Sequence, residues 1–106
     1  MGVAASAAAS RLVQHSDDLA FQEHCLELMR TAAQAGELAW REVAYLTDTV
    51  LLAQGQPQRY GTKFRRVGTT LEPCPLSNQS EVDERRHSMG LESLADYANR
   101  IRNRFA

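Results

Sequence analysis

A histidine and two carboxylates stand close together near the start of the sequence, in the run Gln14-His15-Ser16-Asp17-Asp18. A histidine titrates near neutral pH and a neighbouring carboxylate can orient its ring, which suits general acid/base catalysis. We therefore predict His15 as a general acid/base, Asp17 as an orienting carboxylate and Gln22 as a substrate ligand. The alternative is structural: Asp17 or Asp18 caps a helix, and His15 ends the helix before it. Spacing alone favours that alternative.

A second polar cluster lies in the middle of the chain, over residues 56–64. A glycine there lets a ligand approach the backbone closely, and amide, phenol and hydroxyl groups supply directed hydrogen bonds. The cations would suit a carboxylate or a phosphate. A well-bonded turn before a hairpin is an equally good interpretation. The predicted ligand-binding residues of this segment are Gln58, Arg59, Tyr60, Gly61, Thr62 and Lys63.

Asp48 precedes that segment, on a predicted helix with a strongly apolar face. A carboxylate near a buried face needs a partner, and the candidates are His15, Arg59 and Tyr60. We predict that Asp48, like Asp17, can orient His15 in a catalytic pair. Because threonines flank it on both sides, Asp48 could equally face solvent.

Other chemistries find little support in the sequence. His15, Asp18, His24 and Cys25 could bind a metal, but the spacing of a metal motif is missing, so we predict no metal and no cofactor. Neither a serine nucleophile motif nor a phosphate-binding glycine loop is present. The run Arg85-Arg86-His87 is typical of a helix surface with one arginine turned inward, and is weak evidence for nucleic acid.

The composition describes one small domain spanning residues 1–106. With 43% hydrophobic residues, 24% charged residues and a net charge of −1, it excludes a disordered chain and a strongly basic nucleic-acid binder. No apolar run is long enough to span a membrane, and two cysteines make no disulfide framework. We therefore predict a cytoplasmic protein without a membrane or nucleic-acid partner.

Charge is unevenly divided along the chain. Residues 1–50 carry three basic and seven acidic groups, a balance of −4, whereas residues 51–106 carry nine basic and six acidic groups, a balance of +3. Such an asymmetry can hold two halves of a domain together or pair two subunits, and we predict a homodimer.

The elements that must position these groups are mainly helical. We predict a mainly α fold of four to five helices with one short β-hairpin near residues 60–72. Helical periodicity covers residues 4–15, about 19–35, 40–53, 82–89 and 94–105. In the second helix the predicted buried stripe is Phe21, Cys25, Leu28 or Met29, and Ala32.

The sequence resembles an uncharacterised bacterial domain family in which the motifs QHxD…FQ, AYLTD and QxYGT recur. They correspond here to Gln14–Asp17 with Phe21-Gln22, to residues 44–48, and to residues 58–62. The resemblance to that family implies no particular activity. The resemblance implies that its polar positions share one site, namely His15, Asp17, Gln22, Asp48, Gln58, Tyr60, Gly61 and Thr62. Relatives carry a further N-terminal segment and a longer turn near Asp17, which implies a site remodelled, inactive or completed by another subunit.

Together these observations predict a small enzyme that uses general acid/base chemistry, of isomerase, cyclase, lyase or hydrolase type, on a small polar or anionic molecule. The alternative is a non-catalytic interaction module or homodimer.

Overall fold

The structure, a computed structural model, describes residues 12–104. The predicted helix over residues 4–15 lies mostly outside the described residues, which include only its last turn. The mainly α architecture is confirmed. Its helices are α1 (Leu19–Gln34), α2 (Trp40–Ala53), α3 (Val82–Ser88) and α4 (Leu94–Arg104), and its strands are β1 (Phe64–Val67) and β2 (Thr70–Pro73). Within residues 12–104, no helix is long and apolar enough to cross a membrane.

Helix α1 begins where the sequence supplies a cap. The Asp18 carboxylate accepts a hydrogen bond from the backbone N–H of Phe21 at 3.1 Å, which satisfies a donor that the first turn leaves unpaired. The structural interpretation of the Asp17-Asp18 pair therefore holds for Asp18.

The hydrophobic core lies between α1 and α2. Its buried residues are Leu26, Ala33, Leu38, Val43, Leu46 and Val50. The predicted stripe of α1 was only partly correct: Cys25, Met29 and Ala32 pack against this core, but Phe21 and Leu28 are 47% and 57% exposed. The buried face is centred on Gln22, Leu26 and Ala33 instead, about 100° around the helix, which is one residue's rotation.

The hairpin is shorter than predicted and begins later. Strands β1 and β2 pair antiparallel, from Phe64 opposite Pro73 to Val67 opposite Thr70. Residues 60–63 precede the paired strands. Buried side chains bond most of their backbone groups, and the Lys63 carbonyl also accepts from the Cys74 N–H.

Helix α4 packs against the hairpin. The Tyr97 ring meets the Phe64 ring edge-on, with centroids 5.7 Å apart and planes at 72°. Farther along the helix, the Arg102 guanidinium donates two hydrogen bonds, of 3.1 and 3.0 Å, to the Leu71 carbonyl. These contacts place α4 beside the polar segment that leads into β1.

Candidate functional site

Asp48 organises the polar segment. Its side chain is completely buried on α2, and its two oxygens accept four hydrogen bonds of 2.8–3.0 Å. One oxygen accepts from the backbone N–H groups of Arg59 and Tyr60, and the other from the N–H and hydroxyl of Thr62. Hydrogen bonds to a charged group contribute about 1.5–3 kcal/mol each, so this carboxylate fixes the loop. Arg59 and Tyr60, two of the three residues predicted as partners, contact Asp48 through their backbone N–H groups and not through their side chains.

Gln58 closes the same loop from the other side. Its side chain is also completely buried: the amide nitrogen donates to the carbonyls of Lys63 and Cys74, and the amide oxygen accepts from the Lys63 N–H. Its backbone pairs with the chain after β2, where its N–H donates to the Pro75 carbonyl and its carbonyl accepts from the Ser77 N–H. The amide therefore joins the two ends of the hairpin.

Arg86 holds the loop from α3. The side chain is completely buried, and its guanidinium donates to the carbonyls of Tyr60, Gly61 and Glu92. The guanidinium carbon lies 4.7 Å from the centroid of the Tyr97 ring. Its second terminal nitrogen, Nη2, is buried without a hydrogen-bond partner among the described residues. The expectation that one arginine of this run turns inward is confirmed, with backbone carbonyls as its partners.

Gly61 is required at the centre of these contacts. Its φ is +67°, in the left-handed region that glycine adopts without strain, and a Cβ there would lie 2.9 Å from Leu94 Cδ1. The glycine thus allows both the turn and the close approach of α4.

A cleft opens beside this loop, between the hairpin and α4. Its volume is about 380 Å³, which lies at the lower end of small-molecule sites. Three of its lining residues are cationic, three are apolar, and none is a carboxylate. We call it the Lys63 cleft; it is lined by Thr62, Lys63, Phe64, Leu71, Tyr97, Arg100, Ile101 and Arg104.

Lys63 is the half-buried cation of this cleft. Its ammonium donates to the side-chain oxygen of Gln14 at 2.9 Å and lies 5.9 Å from the centroid of the Tyr45 ring. Within residues 12–104 it makes no ion pair. Burial lowers the pKa of Lys63 from its ordinary value of 10.5, against the opposing attraction of Asp48 and Cys74.

Tyr97 forms the opposite wall of the Lys63 cleft. Its hydroxyl donates to the Thr62 carbonyl at 3.1 Å, and guanidinium groups lie against its ring from Arg86 and from Arg100, at 4.7 and 5.5 Å. Burial raises the pKa of the Tyr97 hydroxyl from its ordinary value of 10.0, so the hydroxyl stays protonated at neutral pH. Its single proton is engaged by the Thr62 carbonyl.

The predicted site residues fall into two groups. The structure brings together Asp48, Gln58, Tyr60, Gly61, Thr62 and Lys63, as well as the backbone of Arg59, whose side chain is exposed. His15 and Asp17 lie on the exposed surface, and neither side chain makes a hydrogen bond within the described part of the chain. Their catalytic roles stay predictions.

Gln22 connects the two groups indirectly. Its buried amide nitrogen donates to the backbone carbonyls of Val13, Gln14 and Ser16, and so fixes the turn that carries Gln14. The Gln14 side chain in turn accepts from Lys63. Gln22 therefore supports the turn next to Lys63, while its own amide nitrogen is fully engaged.

The contribution of α4 to the cleft was not predicted from the sequence. Tyr97, Arg100 and Arg104 occur at spacings of three and four residues, which place them on one face of a helix together with Ile101. That pattern of one aromatic and two arginines was the available signal. No group of three metal-binding side chains occurs among the residues that the structure describes.

Fold and site define a small, mainly α-helical domain in which a buried carboxylate, amide and guanidinium fix a polar loop beside a cationic cleft. The sequence profile of a family of unknown function, DUF6624, matches residues 1–106, and the chain belongs to that family. No curated protein and no solved structure matches the chain.

Proposed function

We propose that the protein is a small cytoplasmic enzyme that binds a small anionic molecule in the Lys63 cleft and moves a proton on it. The observation that carries this proposal is the lining of the cleft, which includes three cationic side chains, those of Lys63, Arg100 and Arg104, and no aspartate or glutamate. A concave site with one sign of charge attracts a ligand of the opposite charge. Two unpaired cysteines, Cys25 and Cys74, support the cytoplasmic assignment.

The proton acceptor in this proposal is Lys63. A general base works best when its pKa lies near the working pH, and burial moves the pKa of Lys63 in that direction. Arg100 provides charge for binding, although it shares part of that charge with Glu92, 2.6 Å away in an exposed ion pair. The Tyr97 hydroxyl on the other wall donates its proton to the Thr62 carbonyl and so helps to fix the loop.

The buried residues of the loop act as its frame. Asp48 and Gln58 use their polar atoms on the backbone between Gln58 and Cys74, and these bonds hold Lys63 at the edge of the cleft. A rigid support of this kind is what a preorganised site requires. In our proposal these buried polar residues support Lys63, and His15 is the competing acid/base group.

Hydrogen exchange in deuterated water tests the proposal. The protein is incubated with small carboxylates, 2-oxo acids and phosphate esters, and loss of carbon-bound protons is followed by ¹H NMR. We expect catalysed exchange for at least one anion, its loss in Lys63→Met, and unchanged exchange in Arg65→Gln, whose exposed cation lies two residues away. Loss in His15→Ala with full activity of Lys63→Met would instead identify His15 as the base. Equal activity of all variants and buffer would contradict the proposal.

A second candidate function, a homodimeric interaction module, is favoured by the surface of α1. Phe21 and Leu28 are seven residues apart and so project from the same side of the helix, where both are about half exposed. Leu12, just before α1, is 77% exposed. The acidic first half and basic second half of the chain make a second copy the fitting partner.

Sedimentation velocity tests the dimer. We expect a dimer for the natural sequence and a monomer for Phe21→Ser/Leu28→Ser, because removal of both side chains eliminates the apolar contact. The control, Glu23→Ser/Glu27→Ser, changes exposed residues elsewhere on the same helix. A natural sequence that sediments as a monomer at high concentration would exclude this candidate.

A further inference from the structure

Lys63 is the sole lysine among the 106 residues, whereas the sequence has eleven arginines. An arginine stays protonated in proteins, so none of those eleven side chains can act as an amine nucleophile. A lysine offers what arginine cannot, namely a neutral amine with a free electron pair. The one position with a lysine is also the half-buried position in the cationic cleft.

Burial of Lys63 favours the neutral amine, against the opposing attraction of Asp48 and Cys74. The ammonium group has an uncharged amide oxygen, that of Gln14, as its hydrogen-bond acceptor, and it makes no ion pair within residues 12–104. The lowered pKa of Lys63 agrees with this arrangement, because burial is its main cause. Lysines that form imines are activated in the same way.

We propose that Lys63 forms an imine with the carbonyl group of a small 2-oxo acid bound in the Lys63 cleft. The inference rests on the proposed function, since it uses the same cleft and the same lysine, and it specifies the class of substrate. Arg100 would bind the carboxylate of that acid, and the apolar residues Phe64, Leu71 and Ile101 would contact its carbon chain.

The reaction is balanced without a cofactor. The neutral Lys63 nitrogen attacks the carbonyl carbon, a C–N bond forms, and a proton moves from nitrogen to oxygen to give a carbinolamine. A proton from solvent then releases that oxygen as water, and the protonated imine remains. The positively charged nitrogen withdraws electrons from the neighbouring carbon, so a proton leaves that carbon more easily. The flexible four-carbon stem of lysine lets the amine reach the cleft when its bond to Gln14 is released.

Reductive trapping tests this inference. The full chain is incubated with pyruvate or glyoxylate and sodium cyanoborohydride, which reduces an imine to a stable secondary amine, and the product is analysed by mass spectrometry. We expect a gain of one 2-oxo acid less one oxygen atom on the peptide that contains Lys63. Peptide analysis separates this product from reaction at the N-terminal amine.

Two variants serve as controls for the position of the amine. Lys63→Arg keeps the positive charge but has no nucleophilic amine, and it should bind the anion without being trapped. Lys63→Arg/Arg65→Lys moves the single lysine to an exposed position on β1, and it should be trapped at least tenfold more slowly than the natural sequence. Equal trapping in the double variant would show that the reaction is that of any exposed lysine and would overturn the inference.

The outcomes distinguish this inference from the proposed function. If Lys63 is needed for proton exchange in deuterated water but no adduct is trapped, Lys63 acts as a simple base: the imine is excluded and the proposed function stands. If neither exchange nor trapping occurs and no anion binds, both are wrong. If trapping occurs at Lys63, and Arg100→Gln slows it while Arg66→Gln does not, the result supports both the imine and the proposed function.

Discussion

Replacement of Asp48 by asparagine is the sharpest test of how the loop is held. The carboxylate accepts from four donors, three of them backbone N–H groups that no rotamer can move. In the best arrangement, the asparagine oxygen accepts from the N–H groups of Arg59 and Tyr60. The new amide nitrogen can then donate to the Thr62 hydroxyl, which rotates, but it opposes the Thr62 N–H.

The expected loss of stability follows from the number of hydrogen bonds that Asp48→Asn changes. One buried N–H loses its acceptor, at a cost of about 1–3 kcal/mol, and the three remaining hydrogen bonds become neutral and weaker. We expect Asp48→Asn to lower the free energy of unfolding by about 3–5 kcal/mol, a large share of the 5–15 kcal/mol typical of a domain. For a domain of this size, each kcal/mol corresponds to a fall in Tm of about 4–8 °C.

Urea denaturation at neutral pH measures this loss. The matched control is Asp17→Asn, which makes the same chemical change on an exposed side chain without a hydrogen bond in the described chain, and should change stability by less than about 0.5 kcal/mol. If Asp48→Asn were as stable as that control, Asp48 would not be the anchor of the loop.

Three further predictions concern the residues around Asp48. Gly61→Ala should destabilise the protein by about 1–3 kcal/mol more than Gly68→Ala, because both glycines have positive φ but only Gly61 lies against Leu94. Equal losses of stability in thermal unfolding would contradict the packing contact with Leu94. Arg86→Lys should cost about 2–4 kcal/mol because lysine cannot bond the carbonyls of Tyr60, Gly61 and Glu92 together, whereas exposed Arg66→Lys should be neutral in the same urea assay. Because the unfolded chain binds the Lys63 proton more tightly than the folded protein does, stability should rise as the pH increases from the folded pKa towards 10.5, and Lys63→Met should remove that rise. The stability of the natural sequence and of Lys63→Met should be compared below pH 10, since above it the raised pKa of Tyr97 lowers stability as the pH rises. Parallel curves of stability against pH for these two proteins would show that Lys63 is not the titrating group.

Periodicity predicted the helices because local spacing determines which face can be buried. The signals for the ends of the helices also lie close by in the sequence: Asp18 precedes α1, and a glycine follows shortly after each of α1, α2 and α3. Phe21 was wrongly predicted as buried, and Met29 rather than Leu28 packs against the core. Spacing predicts a stripe, but only tertiary contacts decide which edge of it turns inward.

The loop residues of the candidate site were predictable from the sequence, but their roles and the residues of α4 were not. The sequence indicated that Asp48 needs a partner and that residues 58–63 are polar, yet the donors proved to be backbone N–H groups, which every residue has. The cleft itself depends on α4, whose arginines lie nearly forty residues away in the chain. Its existence follows from packing between hairpin and helix, which no local pattern encodes.

An NMR titration tests the central claim most directly, that the Lys63 cleft is an anion site. Backbone ¹H–¹⁵N spectra are recorded while pyruvate is added at constant ionic strength, with acetamide as the uncharged comparison. We predict saturable shifts confined to residues 62–64, 71 and 97–104, reduced at least tenfold in affinity in Lys63→Met and unchanged in Arg65→Gln. Shifts that scatter over the surface without saturation, or that cluster around His15 and Asp17 instead, would contradict the account.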